Sequence, residues 1–180
     1  MLHMNCLDIF WTTITFLGDY RLYIVLIPII YAAYNMKLGF KLMAIYMFSM
    51  YINQVFKYWF MLPRPPSSLW ITEAEGYGFP SGHSQASSTF WSCIALNTKL
   101  KLFKLIAMVL PLLIAYSRLY LQVHYLIDVI SGLLLGYGLP LVIHVLNIPR
   151  GISKLSIHIL YIGCSILMVY TSTIIPGGYG

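Results

Sequence analysis

Six apolar runs, separated by short polar connections, limit this chain to one kind of fold. They cover Tyr20–Met36, Phe40–Leu62, His83–Asn97, Leu102–Leu121, His124–Leu146 and Leu155–Ile175. A helix that crosses a bilayer takes about 20 apolar residues, within a range of roughly 17 to 25, and most of these runs reach that size. Backbone N–H and C=O groups in hydrocarbon must be satisfied internally, so runs of this kind cross as helices. Composition agrees, because only 9% of the 180 residues are charged and 59% are hydrophobic, whereas soluble domains carry charge on roughly a quarter of theirs. The expected class is therefore all-α: a polytopic membrane helix bundle with about six transmembrane helices, forming a single domain over residues 1–180.

Two runs carry packing signals of their own. The third is short and contains Ser84, Gln85, Ser87, Ser88, Thr89 and Ser92, which predicts a helix buried inside the bundle, where small polar residues allow close approach and cross-helix hydrogen bonds. In the fifth, Gly132 and Gly136 form a small-xxx-small pair with the same expected role. Ahead of the first span, Asn5–Phe16 mixes apolar residues with Asn5, Asp8 and Thr12. It is too short to span and reads as an interfacial helix. The N-terminus lacks the cationic region and cleavage site of a removable signal peptide. Cys6, Cys93 and Cys164 are dispersed and show no metal spacing, so they read as apolar fillers.

A net charge of +6 would suggest nucleic acid in a soluble protein. Here the cations are scattered singly between apolar runs, and the expected partners are the bilayer and a membrane lipid, with no nucleic acid and no obligate protein partner. If the spans alternate, one face holds Lys37, Lys41, Lys99, Lys101, Lys104, Arg150 and Lys154. The other holds Arg21, Lys57, Arg64 and Arg118 with all five acids, Asp8, Asp19, Glu73, Glu75 and Asp128. Basic residues favour the cytoplasmic side. The second face is thus expected outside, on the periplasmic surface of a prokaryotic inner membrane.

On that outer face three polar islands converge: K-x6-R-P at Lys57–Pro65, P-S-G-H at Pro80–His83, and S-R-x5-H-x3-D at Ser117–Asp128. Charge beside a membrane span is costly and marks function. Arg64 and Arg118 present planar forks that fit phosphate oxygens, and Lys57 adds a point charge. Pro80 and Ser81 suit a helix start, and Gly82 lets a ligand approach the backbone of a helix N-terminus, where anions bind. His124 and Asp128 lie four apart on one helical face, so the carboxylate can fix the imidazole tautomer and leave the other nitrogen free to attack. His83 remains to act as a general acid. Taken singly, each group has a plainer reading as a snorkelling cation, a helix cap or a polar helix contact; their convergence favours a site. His3, His144 and His158 fall elsewhere, Glu73 and Glu75 read as loop-solvating acids, and no metal set is expected.

In these islands the chain resembles the type 2 phosphatidic acid phosphatase superfamily of integral-membrane lipid phosphatases. Lys57, Arg64, Pro65, Pro80, Ser81, Gly82, His83, Ser117, Arg118, His124 and Asp128 stand at every signature position, within a core of about 57–128. The resemblance implies that His124 is the nucleophile that becomes a phosphohistidine and that Asp128 orients it. It implies that His83 protonates the leaving group, while Lys57, Arg64, Ser81, Gly82 and Arg118 hold the phosphate, without metal or other cofactor. Expected substrates are polyprenyl diphosphate, phosphatidylglycerol phosphate, phosphatidic acid or the 1-phosphate of lipid A. A lipid-binding or translocating protein without turnover, and a lipid phosphotransferase, are the alternatives.

Overall fold

A computed structural model of the chain describes residues 5–146. The expected run Leu155–Ile175 lies outside the described residues, as do His3, Arg150, Lys154, His158 and Cys164. Within them the fold is an all-α membrane helix bundle of six helices: α1 (Cys6–Phe16), α2 (Tyr20–Ile29), α3 (Met36–Phe60), α4 (Gly82–Asn97), α5 (Lys101–Tyr120) and α6 (Leu126–Val145).

Local chemistry sets most helix ends. Asn5 and Asp8 cap α1 reciprocally, each side chain accepting the other's backbone N–H at 2.9 Å. Asp19 caps α2, and Asn35 caps α3 by accepting the Leu38 N–H at 2.9 Å. The run read as continuous over Tyr20–Met36 is not one regular helix. After Pro28, which has no N–H to donate, it winds into a π turn over Ile30–Tyr34 and stops at the Asn35 cap.

The bundle is organised around α4. Hydrophobic burial contributes little to helix association in lipid, so close backbone approach and polar bonds must hold the helices together. α4 packs most extensively on α6, where a Cβ placed on Gly132 would come within 2.6 Å of the Ser81 carbonyl. One placed on Gly136 would collide with the Ser88 hydroxyl and stand 2.6 Å from the Gln85 carbonyl. The glycine pair therefore does what its spacing predicts. Facing α3, Gln85 Nε2 donates to the Ser49 carbonyl at 2.7 Å, Asn53 Nδ2 donates to Gln85 Oε1 at 2.8 Å, and the Ser49 and Thr89 hydroxyls are bonded at 2.8 Å. Each such bond contributes about 0.5–2 kcal/mol in a membrane bundle. All six polar residues noted in the third run are buried, which explains how a 16-residue helix this polar can sit at bilayer depth. Tyr23, Ile27, Leu42, Ile45, Tyr46 and Phe90 fill the space between α2, α3 and α4.

By length and composition α5 and α6, at 20 residues each, can cross a membrane, and α1 with α2 and its π turn can do so together as a span bent by 45°. The 25 residues of α3 also give it a reach of about 37 Å. α1 carries a feature its amphipathic pattern did not show. Its polar residues Asp8 and Thr15 are buried, with Asp8 accepting the Tyr120 hydroxyl of α5 at 3.0 Å. Leu7, Ile9, Phe10 and Phe16 are exposed instead. The helix turns its polar face to protein, an arrangement suited to a lipid surrounding.

Candidate active site

All three islands meet at one end of the bundle. The loop from Met61 to Ser81 folds over that end and is tied down at both sides: the Gly78 N–H donates to the Leu62 carbonyl at 2.9 Å, and the Ile71 N–H donates to the Leu121 carbonyl at 3.2 Å. Lys57 closes α3, Pro80–His83 opens α4, Arg118 lies in the last turn of α5, and His124 precedes α6.

His124 is only 4% exposed and Asp128 1%. The two do not share a helical face as their spacing suggested, because His124 lies ahead of the Tyr125 N-cap of α6; the capping turn instead brings Nδ1 of His124 to 3.3 Å from Oδ2 of Asp128, three residues into the helix start. That same carboxylate oxygen accepts the Tyr125 N–H at 2.9 Å, so Asp128 caps α6 while it holds the ring. On the other side of the imidazole, Arg64 Nη1 lies 2.9 Å from Nε2. A guanidinium can only donate. Nε2 must therefore be the unprotonated nitrogen, which places the ring proton on Nδ1, toward Asp128. The sequence leaves this tautomer as an inference from spacing; Arg64 on Nε2 is the physical reason for it. Burial and the nearby Arg64, Arg118 and Lys57 charges hold the His124 imidazole well below its ordinary range, so at neutral pH the ring is uncharged with a lone pair on Nε2.

Arg64 is held by backbone as well. Nη1 also donates to the Val123 carbonyl at 2.9 Å, Nε to Gly76 at 2.9 Å and Nη2 to Glu75 at 2.8 Å. Gly76 has φ +66, a left-handed value that glycine adopts without penalty, and this turn aims its carbonyl at the guanidinium. Burial lowers Arg64 to about 10, still charged at neutral pH. Lys57 Nζ donates to the Tyr77 carbonyl at 2.5 Å. Arg118, 4% exposed, donates from Nη1 to the Thr15 hydroxyl at 2.8 Å, and its Nε is buried without a partner among the described residues.

Ser81 begins α4 as its N-cap. Its N–H donates to the Asp128 carbonyl at 2.9 Å, and its Oγ accepts the Ser84 hydroxyl at 3.0 Å. The Ser81 hydroxyl proton is left to donate elsewhere, next to the unpaired first-turn N–H groups of the helix. Gly82 faces the Asn53 Oδ1, 3.6 Å from where a Cβ would stand. His83 lies within electrostatic reach of Arg118, His124, Arg64 and Lys57. His144 sits in the last turn of α6 at the opposite end, exposed, and Glu73 and Glu75 are exposed in the loop. Among the described residues, no cluster of three His, Cys, Asp or Glu side chains could hold a metal ion.

Several residues that shape the site escaped the sequence reading. A Cβ on the buried Gly78 would lie 3.1 Å from Asp128 Oδ2 and 3.4 Å from Arg64 Cγ, and the G-Y-G spacing ahead of F-P-S-G-H was the available signal. Asn53, one helical turn before Lys57, bonds to the Pro80 carbonyl at 3.3 Å and so supports the α4 entry. Thr15 carried no motif at all.

A family model described as the PAP2 superfamily matches residues 38–151. The chain belongs to the PAP2 superfamily. Among the proteins it is similar to is a phosphatidylglycerophosphatase B of Bacillus subtilis, 34% identical over 94 residues, or 47% of this chain and 46% of the relative. Another is an undecaprenyl-diphosphatase of Sulfolobus acidocaldarius, 32% identical over 105 residues, covering 56% and 50%. The chain thus spans about half the length of these two relatives. The crystal structure of a transmembrane PAP2-type phosphatidylglycerolphosphate phosphatase from Bacillus subtilis superposes with a TM-score of 0.72 at 28% identity, covering 83% of this chain and 81% of that one. The crystal structure of Aquifex aeolicus LpxE shares the fold, with a TM-score of 0.70 at 24% identity, covering 78% of this chain and 87% of that one.

Proposed function

We propose that this PAP2 chain is an integral-membrane phosphatase that hydrolyses the phosphate or diphosphate of a lipid headgroup through a phosphohistidine. The observation that carries the reading is the His124 ring, held between Asp128 on Nδ1 and Arg64 on Nε2. It is a neutral nucleophile whose attacking nitrogen already faces a cation that binds phosphate oxygens. Charge balance supports it. Arg64, Arg118 and the Lys57 amine interact in one cluster with Asp128, two guanidiniums and an amine against one carboxylate, a surplus of positive charge. A phosphate monoester carries about −1.5 to −2 near neutral pH, so the cluster complements it. Protein cations supply the positive charge in this reading, and no metal is required.

The steps follow from the groups. A substrate phosphate takes Arg64 from Nε2, and the Nε2 lone pair forms an N–P bond as the opposite P–O bond breaks. His83, protonated as the phosphate's negative charge comes to lie beside it, gives its proton to the departing lipid oxygen. Water then attacks phosphorus, His83 takes the water's proton, the N–P bond breaks, and inorganic phosphate leaves with His124 restored. Lys57, Arg64, Arg118, Ser81 and the α4 N-terminus at Gly82 stabilise charge on the equatorial oxygens. The lipid tail stays in the bilayer while its headgroup reaches the site at the interface. The names of the relatives favour phosphatidylglycerol phosphate and polyprenyl diphosphate as first candidates, with phosphatidic acid and lipid A 1-phosphate behind them. We place the site on the extracytoplasmic face of a prokaryotic inner membrane, on the strength of the lysines at the other end, where Lys37 and Lys41 share a pocket with Asn97.

The test is phosphate release from a panel of these four lipids by the wild type and by His124→Ala. The expected result is turnover that the substitution abolishes while the protein stays folded; undiminished turnover by the variant would sink the mechanism.

A further inference from the structure

α1 ends before the residues that the PAP2 family model matches, yet it reaches the cationic cluster. We propose that α1 is a wall of the active site and that Thr15 is a positioning residue for Arg118, fixing the guanidinium in the orientation in which it meets phosphate. The inference rests on the phosphatase reading above.

Four observations converge. First, Thr15 is buried, and its hydroxyl accepts Arg118 Nη1 at 2.8 Å across 103 residues of sequence. Among the described residues this is the one hydrogen bond of the Arg118 side chain, and the buried Nε remains without a partner. A guanidinium has five donors in a rigid plane, so anchoring one nitrogen turns the remaining donors toward a defined direction. Second, the anchor is neutral. A carboxylate at this position would hold Arg118 more tightly but would cancel its charge and compete with the substrate's phosphate. A hydroxyl orients the fork and leaves the charge available.

Third, α1 is braced against α5 so that Thr15 is held in place. The Tyr120 hydroxyl donates to Asp8 at 3.0 Å, and the Trp11 ring packs at a tilt with its centroid 4.9 Å from that of Tyr116 and 5.8 Å from that of Tyr120. Asp8 and Thr15 are seven apart, two helical turns, and so share the face turned to α5. Fourth, the same segment backs the proposed acid. A Cβ on Gly18 would collide with Ile114 and lie 3.3 Å from both Cβ and Cδ2 of His83, so the turn after α1 packs directly on that ring. Burying threonine and aspartate in a helix whose other face is apolar would otherwise be a cost without return.

The test compares full-length Thr15→Val, Thr15→Ala, Thr15→Ser and, as a control on the exposed face of α1, Thr13→Val. Each is purified in detergent, checked for a monodisperse folded state, and assayed for lipid turnover and for competitive inhibition by inorganic phosphate. Thr15→Val keeps the shape and removes the acceptor; Thr15→Ala serves if the valine variant does not fold. The expected result is a loss of about tenfold in both kcat/KM and phosphate affinity, equal to about 1.4 kcal/mol. Thr15→Ser is expected to recover most of it, and Thr13→Val to match the wild type. Wild-type phosphate affinity in a folded Thr15→Val or Thr15→Ala, no recovery in serine, or an equal loss in Thr13→Val overturns the inference while leaving the phosphatase reading intact. A wild type that releases no phosphate from any lipid overturns both.

Discussion

Replacing Asp128 with asparagine separates two things this carboxylate does. Its Oδ2 accepts both the Tyr125 N–H at 2.9 Å and His124 Nδ1 at 3.3 Å. Asparagine can place its amide oxygen where Oδ2 now sits, because the Tyr125 donor requires an acceptor there. The helix cap, worth about 1 kcal/mol, and the Nδ1–H tautomer should then both survive. What disappears is the negative charge behind the ring, which matters once Nε2 bonds to phosphorus and the imidazole becomes cationic. A hydrogen bond to a charged group contributes about 1.5–3 kcal/mol and a neutral one about 0.5–1.5. The difference of about 1–1.5 kcal/mol corresponds to a roughly five- to thirteenfold slower phosphoenzyme formation. The bond is long at rest and is expected to shorten as charge develops, so the upper part of the range is favoured. Single-turnover phosphate release, measured beside the thermal midpoint, is the assay. Asp128→Ala should lose the cap as well, lowering the midpoint and cutting the rate further. If Asp128→Asn turned over within twofold of wild type, the charge would have no part in the step and the assigned pairing would be wrong.

Two further outcomes follow from the structure. Gly136→Ala places a methyl against the Ser88 hydroxyl and 2.6 Å from the Gln85 carbonyl, and overpacking of this kind costs about 1–3 kcal/mol; a lowered thermal midpoint in detergent is the check, and an unchanged one would mean that α4 and α6 are not in close contact. The pH dependence of stability is also set. The unfolded chain binds a proton on His124 near the ordinary value of about 6.5, whereas in the folded state burial and the adjacent cations hold that ring well below it. The unfolded state therefore binds more protons as pH falls below about 6.5, and folding stability should drop there by up to about 1.4 kcal/mol per pH unit from this group. Thermal midpoints between pH 7 and 5 should fall more steeply for the wild type than for His124→Asn, and parallel curves would contradict the assignment.

Much of this protein was written in short-range pattern. Apolar runs marked the described helices because a chain in lipid has few other ways to satisfy its backbone. Ser84 to Ser92 signalled a buried helix, and Gly132 with Gly136 signalled its close neighbour, because small side chains have few uses in lipid except close approach. His124 and Asp128 were legible as a pair from their spacing of four, although it is the capping turn at Tyr125, with His124 outside the helix, that brings them together. The tertiary structure alone decided the rest. The π turn at Ile30–Tyr34 depends on where α3 must start as well as on Pro28. The clamp of Glu75 and Gly76 carbonyls on Arg64 arises from a loop folded back on itself, and backbone acceptors leave no residue-type signature. Asn53 reaches Pro80 across 27 residues, and Thr15 reaches Arg118 across 103. Sequence alone established which groups of costly charge the chain keeps, since that cost belongs to each residue. Which partner holds each of them, and in what direction, depended on helix packing, because a buried donor can bond only to the acceptors that the fold brings within reach.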